Sequence, residues 1–166
     1  MSTPEEAIYS QLPEPAVLQA IGIVTIRHSE HEDVLRMLLR TFLHQDAQEA
    51  RKHFAYMGPR VLREKAAELG RAIFGPGEVL DQLVALVARS EQLSKQRNEW
   101  VHALYGVDWL DRPLRREKSG KWVEQPTQEQ LNELASQIDA LTLEIRRARS
   151  HGFLAQPLVD KGHSFP

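Results

Sequence analysis

Residues 14–44, EPAVLQAIGIVTIRHSEHEDVLRMLLRTFLH, decide the fold. Val17, Ile21, Val24, Leu35, Leu38 and Phe42 recur three and four positions apart, the apolar stripe of an amphipathic helix. A stripe of that length needs other helices to cover it. Two seam positions are given instead to His28 and His31, with Glu32 alongside. That exchange gives up packing for something polar. Either both imidazoles lie at the edge of the stripe, bonded to a neighbouring helix or to water, or they belong to a polar site.

Outward from this stretch, residues 1–13 are polar and carry Pro4 and Pro13, which reads as a flexible arm from which Ile8, Tyr9 and Leu12 could dock on the body. Asp46 is suited to cap a second helix through Phe54 and Met57. Gly58-Pro59 breaks it, because proline lacks the helical N–H, and Pro59 then opens a run with Val61, Leu62, Ala66, Leu69 and Ile73 inside. After the break at Gly75-Pro76-Gly77, a further helix is expected from about 78 to 105, burying Leu80, Leu83, Val87 and Leu93 and closed by Gly106. Residues 107–126 read as a loop or short hairpin turning at Ser119-Gly120. Thr127 with Gln130 forms a capping-box pattern ahead of a last helix through Leu131, Leu134, Ile138, Leu141 and Ile145 to about residue 150. Residues 151–166, with Pro157 and Pro166, lack periodicity and read as an extended or disordered tail.

The expected architecture is all-α: one domain over 14–150, an up-and-down bundle of four main helices, one broken at Gly58-Pro59. Composition agrees with a single core. The 166 residues are 42% apolar and 27% charged, with a net charge of -2 and no cysteine. Overall charge gives no case for nucleic-acid binding, so only a local cluster could. The lack of cysteine excludes disulfides, thiolate nucleophiles and Cys-ligated zinc, and suits a reducing compartment. No apolar run approaches the ~20 residues of a membrane span, and the N-terminus has no secretion-signal pattern, so a cytoplasmic, non-membrane protein is expected.

Reactive groups converge at Arg97-Asn98-Glu99-Trp100-Val101-His102, near the end of the fourth expected helical run. Successive helical residues rotate by about 100°, so Asn98 and His102 share a face with Arg97 on its flank, while Trp100 and Val101 can pack. In the alternating bundle, position 97 lies level with about position 33 of the first helix. Glu32 is then the group expected to meet Arg97, with His28 one turn below.

Arg97-Asn98 followed by His102 resembles the signature of the HEPN superfamily (higher eukaryotes and prokaryotes nucleotide-binding domains), in which Arg and His are separated by four to six residues and a polar residue, often Asn, follows the Arg. The resemblance covers the helical body from about 14 to 150. It implies a metal-independent endoribonuclease of toxin–antitoxin, phage-defence or RNA-processing systems, with an active site formed where two copies of the motif meet in a homodimer. Arg97 and His102 would be the catalytic pair and Asn98 the supporting polar residue, with no metal and no cofactor. Arg146 and His151 repeat the spacing, but Arg147 follows the Arg and an antiparallel last helix carries them to the opposite end.

The residue types suit that chemistry. An imidazole transfers protons near neutrality, and a guanidinium binds phosphate oxygens in bidentate fashion. One His per chain cannot be both acid and base in one turnover, which favours a two-fold dimer. Arg112, Arg115, Arg116, Lys118 and Lys121 follow the motif and could hold RNA phosphates, with Trp109 or Trp122 as a stacking face; alternatively they form a solvated loop anchored by buried tryptophans. Competing readings are a di-metal site on Glu99-x-x-His102, a zinc ion on His28, His31 and Glu32, and a catalytically silent HEPN-like scaffold or binder of nucleotide, RNA or a partner protein. A cognate antitoxin is a further possible partner.

Overall fold

The computed structural model describes residues 9–162. Helices dominate: α1 (Pro15–Phe42), α2 (Ala47–Phe54), α3 (Pro59–Phe74), α4 (Glu78–Val101), α5 (Gln128–Ser150) and α6 (Ala155–Asp160). Their boundaries follow the local chemistry. Asp46 accepts from the backbone N–H groups of Gln48 and Glu49 at 2.7 and 2.9 Å. Pro15 and Pro59 each stand in the first turn of a helix, where no N–H is missed. Thr127 and Gln130 close a complete capping box at α5. Gly75 reverses the chain with φ +68°, which a β-carbon would resist.

Strands β1 (Tyr9–Ser10), β2 (Leu104–Val107), β3 (Pro113–Arg116) and β4 (Trp122–Glu124) form one antiparallel sheet in the order β1-β2-β3-β4. The expected hairpin is thus part of a larger sheet, and the all-helical description holds only for the body. Part of the expected arm is also structured: Tyr9 and Ser10 pair with Val107 and Gly106. Leu12 does not dock but stays exposed, and Ile8 lies outside the described residues. At the other end the expected extended tail is corrected by α6, because Leu154 and Leu158 are fully buried in the core. Residues 163–166 lie outside the described residues.

The apolar interior has two parts. Leu35, Leu38, Leu39, Phe42, Phe54, Leu62, Leu83, Leu141, Leu154 and Leu158 fill one. Val17, Ala20 and Val24 meet Leu131, Leu134 and Ile138 in the other, with Trp100 and Val101 packed against them. Between the two along α1 lies a buried polar layer, and His28 and His31 are its centre. His31 Nδ1 lies 3.0 Å from Thr142 Oγ1 and Nε2 lies 2.7 Å from Ser90 Oγ. Because the Thr142 hydroxyl already donates to the Ile138 carbonyl, it accepts from His31 Nδ1–H, and Ser90 donates to Nε2. His28 Nε2 meets Ser94 Oγ at 3.0 Å, which also accepts from Arg63 Nη1 at 2.8 Å. Its Nδ1 faces Glu32 Oε1 at 3.1 Å, and Glu32 is bridged in turn to Arg36 at 3.3 Å. The histidines are therefore satisfied core residues rather than edge residues, and all four ring nitrogens have protein partners.

These bonds also fix helix direction. His28–Ser94 and His31–Ser90 run α4 antiparallel to α1, and Arg63–Ser94 together with the approach of Gly70 to Leu83 runs it antiparallel to α3. Arg27–Asp139 at 3.6 Å, His31–Thr142, and Arg149–Thr41 at 3.0 Å make α5 parallel to α1. Hence α1, α3 and α5 point one way and α4 the other, so the main helices do not alternate as expected. The chain comes back down α1 before the break at Gly58-Pro59, where Arg36 Nη2 donates to the Met57 carbonyl at 3.4 Å, and α3 climbs again. Among the described residues no helix is long and apolar enough to cross a membrane.

Burial, with the charges of His28 and Arg63 nearby, pushes the His31 imidazole down to about 4 against the pull of Glu32. The unfolded chain protonates this residue near 6.5, the folded chain only near 4, so in between the unfolded state holds the extra proton and acid favours unfolding. Denaturant titrations should therefore show stability falling by on the order of 3 kcal/mol between these pH values. In His31→Leu that component should be absent; an identical acid loss in the variant would refute the assignment.

Candidate functional site

The carboxyl end of α4 is set by the sheet beside it. The helix stops at Val101, not at residue 105, because Leu104–Val107 pair with Pro113–Arg116 as β2 and β3. Gly106 is accordingly a buried strand residue rather than a helix terminator. The Tyr105 hydroxyl returns to donate to the Trp100 carbonyl, one of the carbonyls a helix end leaves without a partner. His102 becomes the C-cap, its N–H directed at the Asn98 carbonyl at 3.3 Å.

This geometry brings the three motif side chains together. Arg97 Nη1 donates to Asn98 Oδ1 and to His102 Nε2, both at 2.9 Å. A guanidinium has no lone pair to offer, so Nε2 is the acceptor and the imidazole carries its proton on Nδ1. The same contact orients the Asn98 amide, oxygen toward Arg97 and NH₂ away. Arg97 Nε is buried and has no hydrogen-bond partner among the described residues. Arg97 and Asn98 are half-buried, and His102 is exposed.

Antiparallel pairing sets Arg116 opposite Leu104 and Arg115 opposite Tyr105, which carries the basic strand back to the helix end. Asn98 and His102 consequently line a cleft of about 250 Å³ with Arg115, Arg116 and Lys118. Glu99 and Glu117 also line it, so three cations face two carboxylates. Arg116 Nε donates to the Gly120 carbonyl at 3.2 Å, which braces the β3–β4 turn, and Arg115 lies 3.8 Å from Glu117. The cleft can take up an anion beside an imidazole.

Other sequence-singled residues lie elsewhere. Ser94 is level with His28, so Arg97 sits further toward the α1 amino end and does not meet Glu32, which is held by His28 and Arg36. His28 and Glu32 thus belong to the polar layer; His28 bonding and neighbouring charge hold the Glu32 carboxyl below its usual range against its burial. Arg112 is committed to the buried Asp108, Nε to Oδ2 at 2.6 Å, and that carboxylate also accepts from the Leu110 and Arg112 amides. Lys121 does not line the cleft, and neither does Trp109, which is exposed, nor the half-buried Trp122. Among the described residues no three His, Asp or Glu side chains gather as metal ligands, Glu99 and His102 included. Ser90, Ser94, Arg63 and Thr142 were missed. Yet Ser90 and Ser94 continue the Leu83–Leu86 seam of α4, and a hydroxyl at a seam position was the available signal.

Removing the Tyr105 hydroxyl as Tyr105→Phe should cost about 1 kcal/mol in chemical denaturation. It should also broaden the His102 imidazole resonances as the helix end frays; unchanged stability and resonances would remove the cap from the account. Comparison with protein-family models, curated proteins and solved structures finds no match to this chain.

Proposed function

We propose that the protein is a metal-independent endoribonuclease of HEPN type, acting as a homodimer with a composite site. The observation that carries this reading is the contact of Arg97 with both Asn98 and His102, two residues that line a cleft supplied with Arg115, Arg116 and Lys118. An RNA phosphate entering the cleft draws the Arg97 guanidinium onto its oxygens, a stronger charge-assisted pairing than the one to a neutral imidazole. His102 Nε2 is then free to take the 2′-OH proton. The ribose oxygen attacks phosphorus, the P–O5′ bond breaks, and a protonated imidazole from the partner's His102 supplies the proton to the leaving oxygen, so a 2′,3′-cyclic phosphate remains. Arg97 stabilises the charge that builds on the phosphorane, and Asn98 orients the phosphate or the imidazole. The main helices of two protomers would bring the motifs face to face. A cytoplasmic toxin–antitoxin or phage-defence setting, with a cognate protein silencing the cleft, fits such an activity.

One observation favours a second reading. In the resting chain Arg97 occupies the very lone pair that a base must offer. A HEPN-like dimeric module that binds RNA or a partner without cutting would keep that contact. Cleavage in EDTA separates the two.

Purified protein should release 2′,3′-cyclic phosphate ends from single-stranded RNA in EDTA. Arg97→Ala and His102→Ala should each lose on the order of 10²–10⁴-fold in rate while light scattering still reports a dimer. Undiminished cleavage by both variants would defeat the proposal. In RNA binding at low salt, Arg116→Ala should weaken affinity roughly tenfold, whereas Arg112→Ala should not, since its guanidinium is engaged by Asp108. Equal losses would mean that the basic loop acts as an undivided patch.

A further inference from the structure

Arg115 lines two clefts. On one side is the motif cleft; on the other is a second, of about 270 Å³, lined by Trp100, Arg115, Glu124, Gln125, Thr127 and Gln130. We infer that this second cleft is a guanine-binding subsite for the nucleotide next to the scissile phosphate. The inference rests on the reading of the motif cleft as an RNA site.

Its walls are held in place. Trp100 packs against the cluster containing Leu131 and Leu134, and its carbonyl is engaged by Tyr105, so the ring is anchored before a ligand arrives. An anchored indole provides stacking surface at little entropic cost, and base stacking on aromatic side chains is the common mode of single-strand recognition. Arg115 has a side chain only 12% exposed and sits in the middle strand of the β2-β3-β4 pairing.

The polar groups around Trp100 are not interchangeable among bases. Gln130 Oε1 is occupied by the Thr127 amide, which leaves its NH₂ as a donor; Thr127 Oγ1 accepts from the Gln130 amide, which leaves its hydroxyl proton to donate. Together with Arg115, these donors suit the O6 and N7 acceptors of guanine. Glu124 is acceptor-only, and guanine is the base whose N1–H and N2–H₂ stand side by side as paired donors. Adenine and cytosine set a bare ring nitrogen beside their amino group, and uracil flanks its one N–H with two carbonyls. Each of them would place a lone pair against the Glu124 carboxylate. The capping box that starts α5 therefore also selects which atoms face the cleft.

The test uses isothermal titration of the full-length protein with 5′-GMP, 5′-AMP, 5′-CMP and 5′-UMP in EDTA. GMP should bind about tenfold or more tightly than the other three. Glu124→Gln, at an exposed strand position that the fold does not need, should erase the preference. Trp100→Ala should weaken all four nucleotides, and circular dichroism reports whether its core contact survives; should it unfold, Trp100→Leu, which keeps an apolar core group and removes the stacking ring, carries the same comparison. Equal affinities, no binding of any nucleotide, or a guanine preference that survives Glu124→Gln would each overturn the subsite. Mapping cut sites on a mixed-sequence RNA separates this from the nuclease reading. Cleavage without regard to guanine removes the subsite and keeps the nuclease, whereas selective GMP binding with no cleavage keeps the subsite and removes the nuclease.

Discussion

His31 holds three helices at once. Its two ring nitrogens bind Ser90 of α4 and Thr142 of α5 from a seam position of α1, in a layer that water does not reach. A hydrogen bond of this kind contributes little net when made, but each group left unpaired would cost on the order of 1–3 kcal/mol. Apolar seams tolerate sliding by a turn; this layer does not, because a slip of α4 would strand Ser90, Ser94, His28 and Arg63 together. The height of α4, and with it the position of its carboxyl end, follows from that constraint.

That end is where the candidate site is built, and two unlike elements meet there. A helix places Arg97 and Asn98 on neighbouring flanks, while β2 begins two residues beyond His102 and pulls the chain out of helical geometry. Had α4 run on to residue 105, His102 would project as an ordinary helical side chain. As a C-cap it turns back to within hydrogen-bond distance of Arg97, and the pairing of β2 with β3 delivers Arg115 and Arg116 to the same place. The sheet therefore both ends the helix and furnishes its cationic neighbours.

The charges of the basic segment divide by what already engages them. Arg112 is held by Asp108 within its own loop, whereas Arg115, Arg116 and Lys118 face the cleft with Glu99 and Glu117 interspersed. A modest local excess of positive charge suits transient handling of an anion in a chain whose overall charge is -2, and unlike a long uniform patch it leaves room for selectivity.

Residue order alone was enough to state the helical class, the break at Gly58-Pro59, the Asp46 cap, the Thr127–Gln130 box and the turn at Ser119-Gly120, because each depends on dihedral preferences and hydrogen bonds within a few residues. The Arg97, Asn98 and His102 grouping was legible for the same reason: their separation is short. What lies between distant segments was not. That Glu32 is engaged by His28 and Arg36 away from Arg97, that α4 runs antiparallel to both α1 and α3, that residues 104–107 are a strand, and that Leu154 and Leu158 recruit the last segment into the core were all decided by tertiary packing. Short apolar runs such as Leu104–Val107 satisfy helix and strand patterns alike, and only pairing with strands 113–116 and 9–10 chooses between them. Likewise a histidine in a seam announces a polar neighbour without naming it, since Ser90 and Thr142 come within reach only after three helices have docked.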